Sequence, residues 1–245
     1  MRQNHKLFLI GLPGSGKSSV VTKLKGLMEP TGMAQLIDAR LREADGFDFS
    51  LDKDEQACLV WDVREHFSAY PEDWLKAFFA QADRLVLTNW TQLDLMAQNR
   101  FKRQLKDYYG SAVFYADTLA PEKAAALFAP LKQAFPCFSD AGANLHHITL
   151  PMGCVVLDHL LFVLDMVQQN YQRPIWRAAA LLDTLEYANP VVLDMTHSQL
   201  RTFGWPLDRP VNNKLMPGQL NVWLDASFDH AQLQEWLDAS LAPGA

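Results

Sequence analysis

A short apolar segment, Lys6-Leu7-Phe8-Leu9-Ile10, runs directly into Gly11-Leu12-Pro13-Gly14-Ser15-Gly16-Lys17-Ser18, and no other junction constrains this chain as strongly. An amphipathic stretch with Val20, Val21, Leu24, Leu27 and Met28 follows. Strand, glycine-rich turn and helix in that order form the local architecture of a phosphate-binding loop of the Gly-x-x-x-x-Gly-Lys-Ser type. Glycines at 11, 14 and 16 let the backbone turn its N–H groups inward around an anion. The start of the following helix adds N–H donors and the positive end of the helix dipole. A glycine-rich turn could join a strand to a helix for structural reasons alone. The phosphate reading is carried by the four demanded residues, Gly11, Gly16, Lys17 and Ser18, and by correct flanks on both sides. The expected binding set is Gly11, Gly14, Ser15, Gly16, Lys17, Ser18 and Ser19. Lys17 is assigned the catalytic charge on the β- and γ-phosphates, and the Ser18 hydroxyl a place on Mg²⁺.

Strand and helix signals alternate through the first half. Ala34–Asp38, Ala57–Asp62, Arg84–Thr88 and Ala112–Ala116 read as strands after the first. Helical spacing marks Tyr70–Gln81, the run of Leu93, Met96, Ala97, Phe101, Leu105 and Tyr108, and Pro121–Ala134. Arg40–Gln56 reads as a polar, acidic connector. Such alternation predicts an α/β fold, a parallel sheet with helices on both faces, with the ligand at the carboxyl ends of the strands. Residues 136–145 break the pattern and read as a linker. Beyond it, His147–Leu150, Pro174–Leu182, Leu185–Met195 and Gln219–Asp225 read as strands, Leu157–Gln169 and His230–Leu241 as helices. The expected organisation is therefore a phosphate-loop domain over residues 1–139 and a small α+β domain over 145–245.

Two further stretches nominate site residues. Asp62 closes an apolar strand, as the carboxylate of a Walker B strand does, and is assigned to Mg²⁺, with Asp38 as competitor. Leu85-Val86-Leu87-Thr88 leads into Asn89-Trp90-Thr91-Gln92, where nucleotide-reading loops of guanine-specific proteins carry Asn-Lys-x-Asp. Asn89 fits that pattern. Gln92 offers a single acceptor oxygen and an NH₂ that would face the guanine donors, an unpaired contact costing ~1–3 kcal/mol. Trp90 stands where a lysine stem would cover the base, and its indole could stack there. Asp94 reads as a helix cap. The adjacent pair His146-His147 points to opposite faces of a strand and is read as structural. Trp205, Trp223 and Trp236 are expected to pack the C-terminal core.

A formal net charge of −6 argues against a general nucleic-acid or anionic-membrane binder. The most apolar-rich stretch, Met152–Val167, is interrupted by Asp158, His159 and Asp165, which argues against a membrane span. Three scattered cysteines without a Cys-x-x-Cys spacing, and no leader-like apolar segment, point to reduced thiols and a cytoplasmic setting.

With these stretches in view the chain resembles the CobW-type P-loop GTPases, a family of metal-handling and cofactor-assembly proteins. The likeness runs through Gly11–Ser18, through Cys58-Leu59-Val60-Trp61-Asp62-Val63, and through Gln81-Ala82-Asp83-Arg84-Leu85-Val86-Leu87-Thr88-Asn89. In the second half it runs through Ile175–Ala180 and Leu220–Leu241. Equivalents of the family's Cys-x-Cys-Cys and Glu-x-x-Gly segments are missing, so the chain reads as a shortened, degenerate member. The resemblance implies a GTP-binding fold with Mg²⁺, with ATP as the alternative nucleotide, and slow hydrolysis in the service of a switch or of assembly on a client protein. The rival readings are a non-hydrolysing nucleotide-binding module and a small-molecule kinase using ATP.

Overall fold

The computed structural model describes residues 6–28, 41–45, 55–82, 84–128, 145–171, 174–205, 216–225 and 227–242. The chain divides into two units, Met1–Gly142 and Ala143–Ala245.

The first unit is a five-stranded sheet built from β1 (Lys6–Gly11), β2 (Leu41–Asp45), β3 (Glu55–Asp62), β4 (Arg84–Thr88) and β5 (Ala112–Tyr115). Its spatial order is β2-β1-β3-β4-β5, and every pairing is parallel. The described helices are α1 (Lys17–Met28), α2 (Glu72–Phe79), α3 (Leu95–Leu105) and α4 (Pro121–Leu127). Side chains alternate across a strand, so the two faces of the sheet carry different residues. On one face Leu7, Leu9, Cys58, Val60 and Val86 pack with Val20 and Leu24 of α1 and Ala124 and Leu127 of α4. On the other, Trp61 packs with Phe67, Tyr70, Phe78 and Phe79 at ring-centroid separations of 5.2–5.7 Å. Phe67 passes the cluster on to Phe101 of α3 and to Tyr108. Helices thus cover both faces. A parallel sheet buried this way explains why β3 and β4 read as nearly continuous apolar runs rather than as alternating ones.

The strand expected at 34–38, and Asp38 with it, lies outside the described residues. The described second strand is instead Leu41–Asp45, inside the stretch read as a connector. LREAD has no apolar run to announce it. Among the described residues it pairs with β1 alone, at the end of the strand order. The linker at 136–145 falls outside the described residues up to 144. The helix expected from Pro121 is described as far as Leu127.

The second unit is a five-stranded antiparallel sheet in the order β6-β10-β7-β8-β9. Its strands are β6 (Leu145–Pro151), β7 (Ile175–Leu182), β8 (Val191–Thr196), β9 (Leu200–Gly204) and β10 (Gln219–Asp225), with helices α5 (Leu157–Asn170) and α6 (His230–Asp238). Leu160, Leu164 and Val167 of α5 and Leu233 and Leu237 of α6 pack on Ala178, Ala180, Leu193, Leu220 and Val222. This is the small α+β arrangement that the sequence predicts. Three details differ. The strand expected at 185–195 begins only at Val191, after Pro190, which has no N–H to give a ladder. The segment Leu200–Gly204 pairs with β8 as a strand the sequence did not signal. Trp236 packs against the core, but Trp223 is half-buried away from it and stacks on His147 at 4.3 Å.

Candidate phosphate-binding site

In the order β2-β1-β3-β4-β5, the chain leaves β1 toward β2 on one side, and β3 lies on the other. The carboxyl ends of β1 and β3 flank that reversal, the place where open α/β sheets take ligands. Gly11 ends β1 and Asp62 ends β3.

The loop between β1 and α1 is shaped by contacts rather than by glycine content alone. A Cβ on Gly11 would stand 2.4 Å from the Val60 carbonyl oxygen and 2.8 Å from Ser15 Oγ, so only glycine lets β1 run this close to β3. Gly16 has φ +92°, in the left-handed region, and a Cβ there would meet Thr88 Cγ2 at 3.0 Å. Thr88, at the end of β4, donates its hydroxyl to the Ser15 carbonyl at 2.7 Å and so pins the loop to the sheet. The Ser15 N–H donates to the Leu12 carbonyl at 3.0 Å, closing a turn, and Val20 N–H to the Gly16 carbonyl begins the helical ladder.

Lys17 is 7% exposed, and its ammonium donates to the carbonyls of Gly11 (3.0 Å) and Leu12 (2.9 Å). The positive charge is therefore held against its own loop, at the first residue of α1. N–H groups in the first turn of a helix have no carbonyl one turn earlier to bond within it. Ser15 is 4% exposed, and its hydroxyl finds no hydrogen-bond partner among the described residues. A buried orphan hydroxyl is costly unless something completes it. An anionic oxygen in the curl of the loop fits that donor, the charge of Lys17 and the helix start together. The glycines, Ser15, Lys17 and Ser18 of the expected set are brought to one place. Ser19 lies on α1 and is exposed.

Asp62 shares the α1 face of the sheet with Val60 and Cys58, as its even spacing requires, and is 2% exposed. Its carboxylate is not open. Oδ1 accepts from the Arg64 N–H (3.0 Å) and Arg64 Nε (2.9 Å). Oδ2 accepts from Arg64 Nε (2.9 Å), Arg64 Nη2 (2.5 Å) and Asn89 Nδ2 (3.0 Å). A buried carboxylate needs such pairing, because desolvating a lone charge costs several kcal/mol. For the Mg²⁺ of a nucleotide the donor set thus fits in part: Ser18 stands at the helix start, whereas Asp62 is occupied.

The base-reading segment is likewise committed inward. Asn89 has φ +59°, gives its amide N–H to Asp62 and accepts from Gln92 Nε2 at 2.9 Å. Trp90, 7% exposed, packs against Tyr115 (4.8 Å) and Phe101 (6.0 Å), with Lys102 Nζ 5.2 Å from the centre of its ring. The indole expected to stack on a base is here buried against these two rings. Asp94 caps α3 by accepting from Ala97 N–H at 2.8 Å. Asp117 accepts from the Thr91 N–H (2.8 Å) and hydroxyl (3.0 Å), and its own carbonyl accepts from Lys23 Nζ at 2.6 Å.

Sequence reasoning missed Arg64 and Thr88. The signal for Arg64 was present in Asp62-Val63-Arg64, since an aspartate readily bonds the backbone N–H two residues on. His146 and His147 are both exposed, and His147 Nε2 lies 3.3 Å from Asn221 Oδ1. Among the described residues no group of three or more His, Cys, Asp or Glu could hold a metal, and no helix is long and apolar enough to cross a membrane.

No protein-family model matches the sequence, and no curated protein matches it. Among solved structures, the chain aligns with Zn(II)-bound YjiA GTPase from E. coli at 11% identity and a TM-score of 0.35, covering 99% of this chain and 100% of that one. A Zn(II)-bound triple mutant of YjiA GTPase aligns at 10% identity and a TM-score of 0.34, with the same coverage. At these values the fold assignment rests on the strand order and the loop described above.

Proposed function

We propose that this protein binds a nucleoside triphosphate through its phosphates, in the loop Gly11–Ser18, with GTP as the nucleotide and weak discrimination against ATP. One observation carries the reading. The loop is curled by a left-handed glycine, pinned by Thr88, and set at the β1/β3 reversal with an orphan Ser15 hydroxyl and the Lys17 ammonium turned onto it. The loop amides, Ser15 and the start of α1 hold the phosphates. Lys17 exchanges its two carbonyl partners for phosphate oxygens. Ser18 is the side chain that would hold a Mg²⁺ brought with the nucleotide, and the ion would supply charge neutralisation on the phosphate oxygens.

Phosphoryl transfer is catalysed mainly by positioning and charge neutralisation. With Asp62 engaged by Arg64, the proposed hydrolysis is slow, and the nucleotide serves chiefly as a bound effector of a switch or of docking to a client protein. Weak base selectivity follows from Asn89 and Gln92 bonding each other, with Asp94 and Asp117 committed to a helix cap and to Thr91. In this reading residues 1–139 form the nucleotide-binding domain and 145–245 the accompanying one.

Titration calorimetry with GTP, GDP, ATP and ADP, on the wild type and Lys17→Ala, tests it. Triphosphate binding that the substitution weakens at least about tenfold, roughly 1.4 kcal/mol, is the expected result. A Lys17→Ala protein that binds as tightly as the wild type overturns the assignment.

A further inference from the structure

We infer that Arg64 stands in for the divalent cation at Asp62, so that nucleotide binding at this loop depends only weakly on Mg²⁺; this rests on the phosphate-site reading above.

A carboxylate offers about four lone-pair positions. Four donors meet them: the Arg64 N–H on Oδ1, Arg64 Nη2 and Asn89 Nδ2 on Oδ2, and Arg64 Nε shared between the two oxygens. Water on a bound Mg²⁺ donates to a carboxylate in this position of a Walker B strand, and here it would meet donors already in place. The cation itself would meet the guanidinium charge. Arg64 is held by more than its charge. It is two residues from Asp62, its own N–H closes the same ring, and the Glu65 N–H donates to the Asp62 carbonyl at 3.0 Å. The Asp62–Glu65 turn therefore presents guanidinium and carboxylate to one another at a high effective concentration, and little chain entropy is spent on the pair. On the far side Asn89 is fixed by Gln92, so a shift of Asp62 away from Arg64 breaks a second bond.

Position completes the inference. Asp62 is paired in register with Thr88, whose hydroxyl donates to the Ser15 carbonyl of the loop. The Arg64 side chain, 21% exposed, thus takes up the carboxylate that a divalent ion beside the loop would otherwise use.

The test is the affinity of full-length protein for non-hydrolysable GTP and ATP analogues, with Mg²⁺ and with EDTA. The same titrations are run on Arg64→Gln and, should that variant fold poorly, Arg64→Lys. Mn²⁺ binding is read alongside by electron paramagnetic resonance. The wild-type affinity is expected to change by less than about threefold on metal removal, with little immobilised Mn²⁺. In Arg64→Gln, Asp62 becomes open to the ion, and removing metal costs at least about tenfold. The lysine variant keeps the charge but loses the planar fork, and falls between the two. A wild type that loses tenfold or more in EDTA, or binds Mn²⁺ with the analogue as tightly as Arg64→Gln does, overturns the inference. In that event, binding still weakened at least about tenfold by Lys17→Ala leaves the phosphate site standing. No binding of either analogue, with or without metal, overturns the site itself and this inference with it.

Discussion

Substituting Gly11 by alanine puts a methyl carbon 2.4 Å from the Val60 carbonyl oxygen, where ordinary contact begins at 3.4 Å. The deficit is about 1 Å, and the obstacle is backbone. Val60 lies in the middle of β3, and its neighbours hold a parallel register with β1 from Lys6↔Glu55 to Ile10↔Leu59. The strands must part or the loop must rotate, and overpacking of this kind costs ~1–3 kcal/mol. For a chain of this length that lowers the melting point of the first unit by roughly 2–12 °C. The same substitution at Gly26 provides the opposite control. Gly26 lies in α1, with nothing within 4 Å of its would-be Cβ. Alanine there relieves the helical penalty of glycine, ~0.5–1 kcal/mol, and raises the same transition by roughly 1–4 °C. Differential scanning calorimetry on the full chain, comparing the two variants with the wild type, reads both shifts. Should Gly11→Ala melt at or above the wild type, the close approach of β1 to β3 is not as described here. Should Gly26→Ala melt lower, the assigned helical environment is wrong.

Two further outcomes follow from groups away from the loop. Burial pushes the Cys58 thiol up to about 12, against a smaller lowering pull from Arg84. The folded chain therefore keeps its proton where the unfolded chain releases it. Stability is intact below the ordinary thiol pKa near 8.5 and falls as pH rises from there toward 12, by up to ~1.4 kcal/mol per pH unit. Urea melts across that range should show a shallower decline in Cys58→Ala than in the wild type; equal slopes refute the burial argument. Asp94→Ala removes the cap on Ala97 N–H and should cost ~1 kcal/mol in the same melts, while Asp94→Asn stays close to the wild type. Equal losses in both variants contradict the capping role.

Much of the fold was legible because local chemistry and tertiary position agree. Arg84–Thr88 reads as a strand from its apolar run and is a strand in the sheet. Pro121, fixed at a helical φ with no N–H to lose, opens α4. Asp94 reads as a cap and is one. Where they disagree the sequence misled. Leu41–Asp45 has the composition of a connector and is a strand because the β1 edge supplies its hydrogen-bond partners. Leu200–Gly204 pairs with β8 for the same reason.

The candidate site divides along the same line. Gly11, Gly16, Lys17 and Ser18 are close in sequence, and a loop of eight residues has few ways to join a strand to a helix. Their grouping is therefore set largely by local sequence. Which partners Asp62, Asn89 and Trp90 take depends on strands that meet only when the sheet forms. Asp62 sits 27 residues from Asn89, and register alone sets them side by side. Trp90 is exposed or buried according to whether Phe101 and Tyr115 lie beneath it. Sequence alone determines the glycine-rich turn from β1 into α1, because that geometry is largely local. Only the tertiary structure decides that Asn89 joins Arg64 on its acidic neighbour and that its aromatic one is sunk against Phe101 and Tyr115, because long-range packing and desolvation choose those partners.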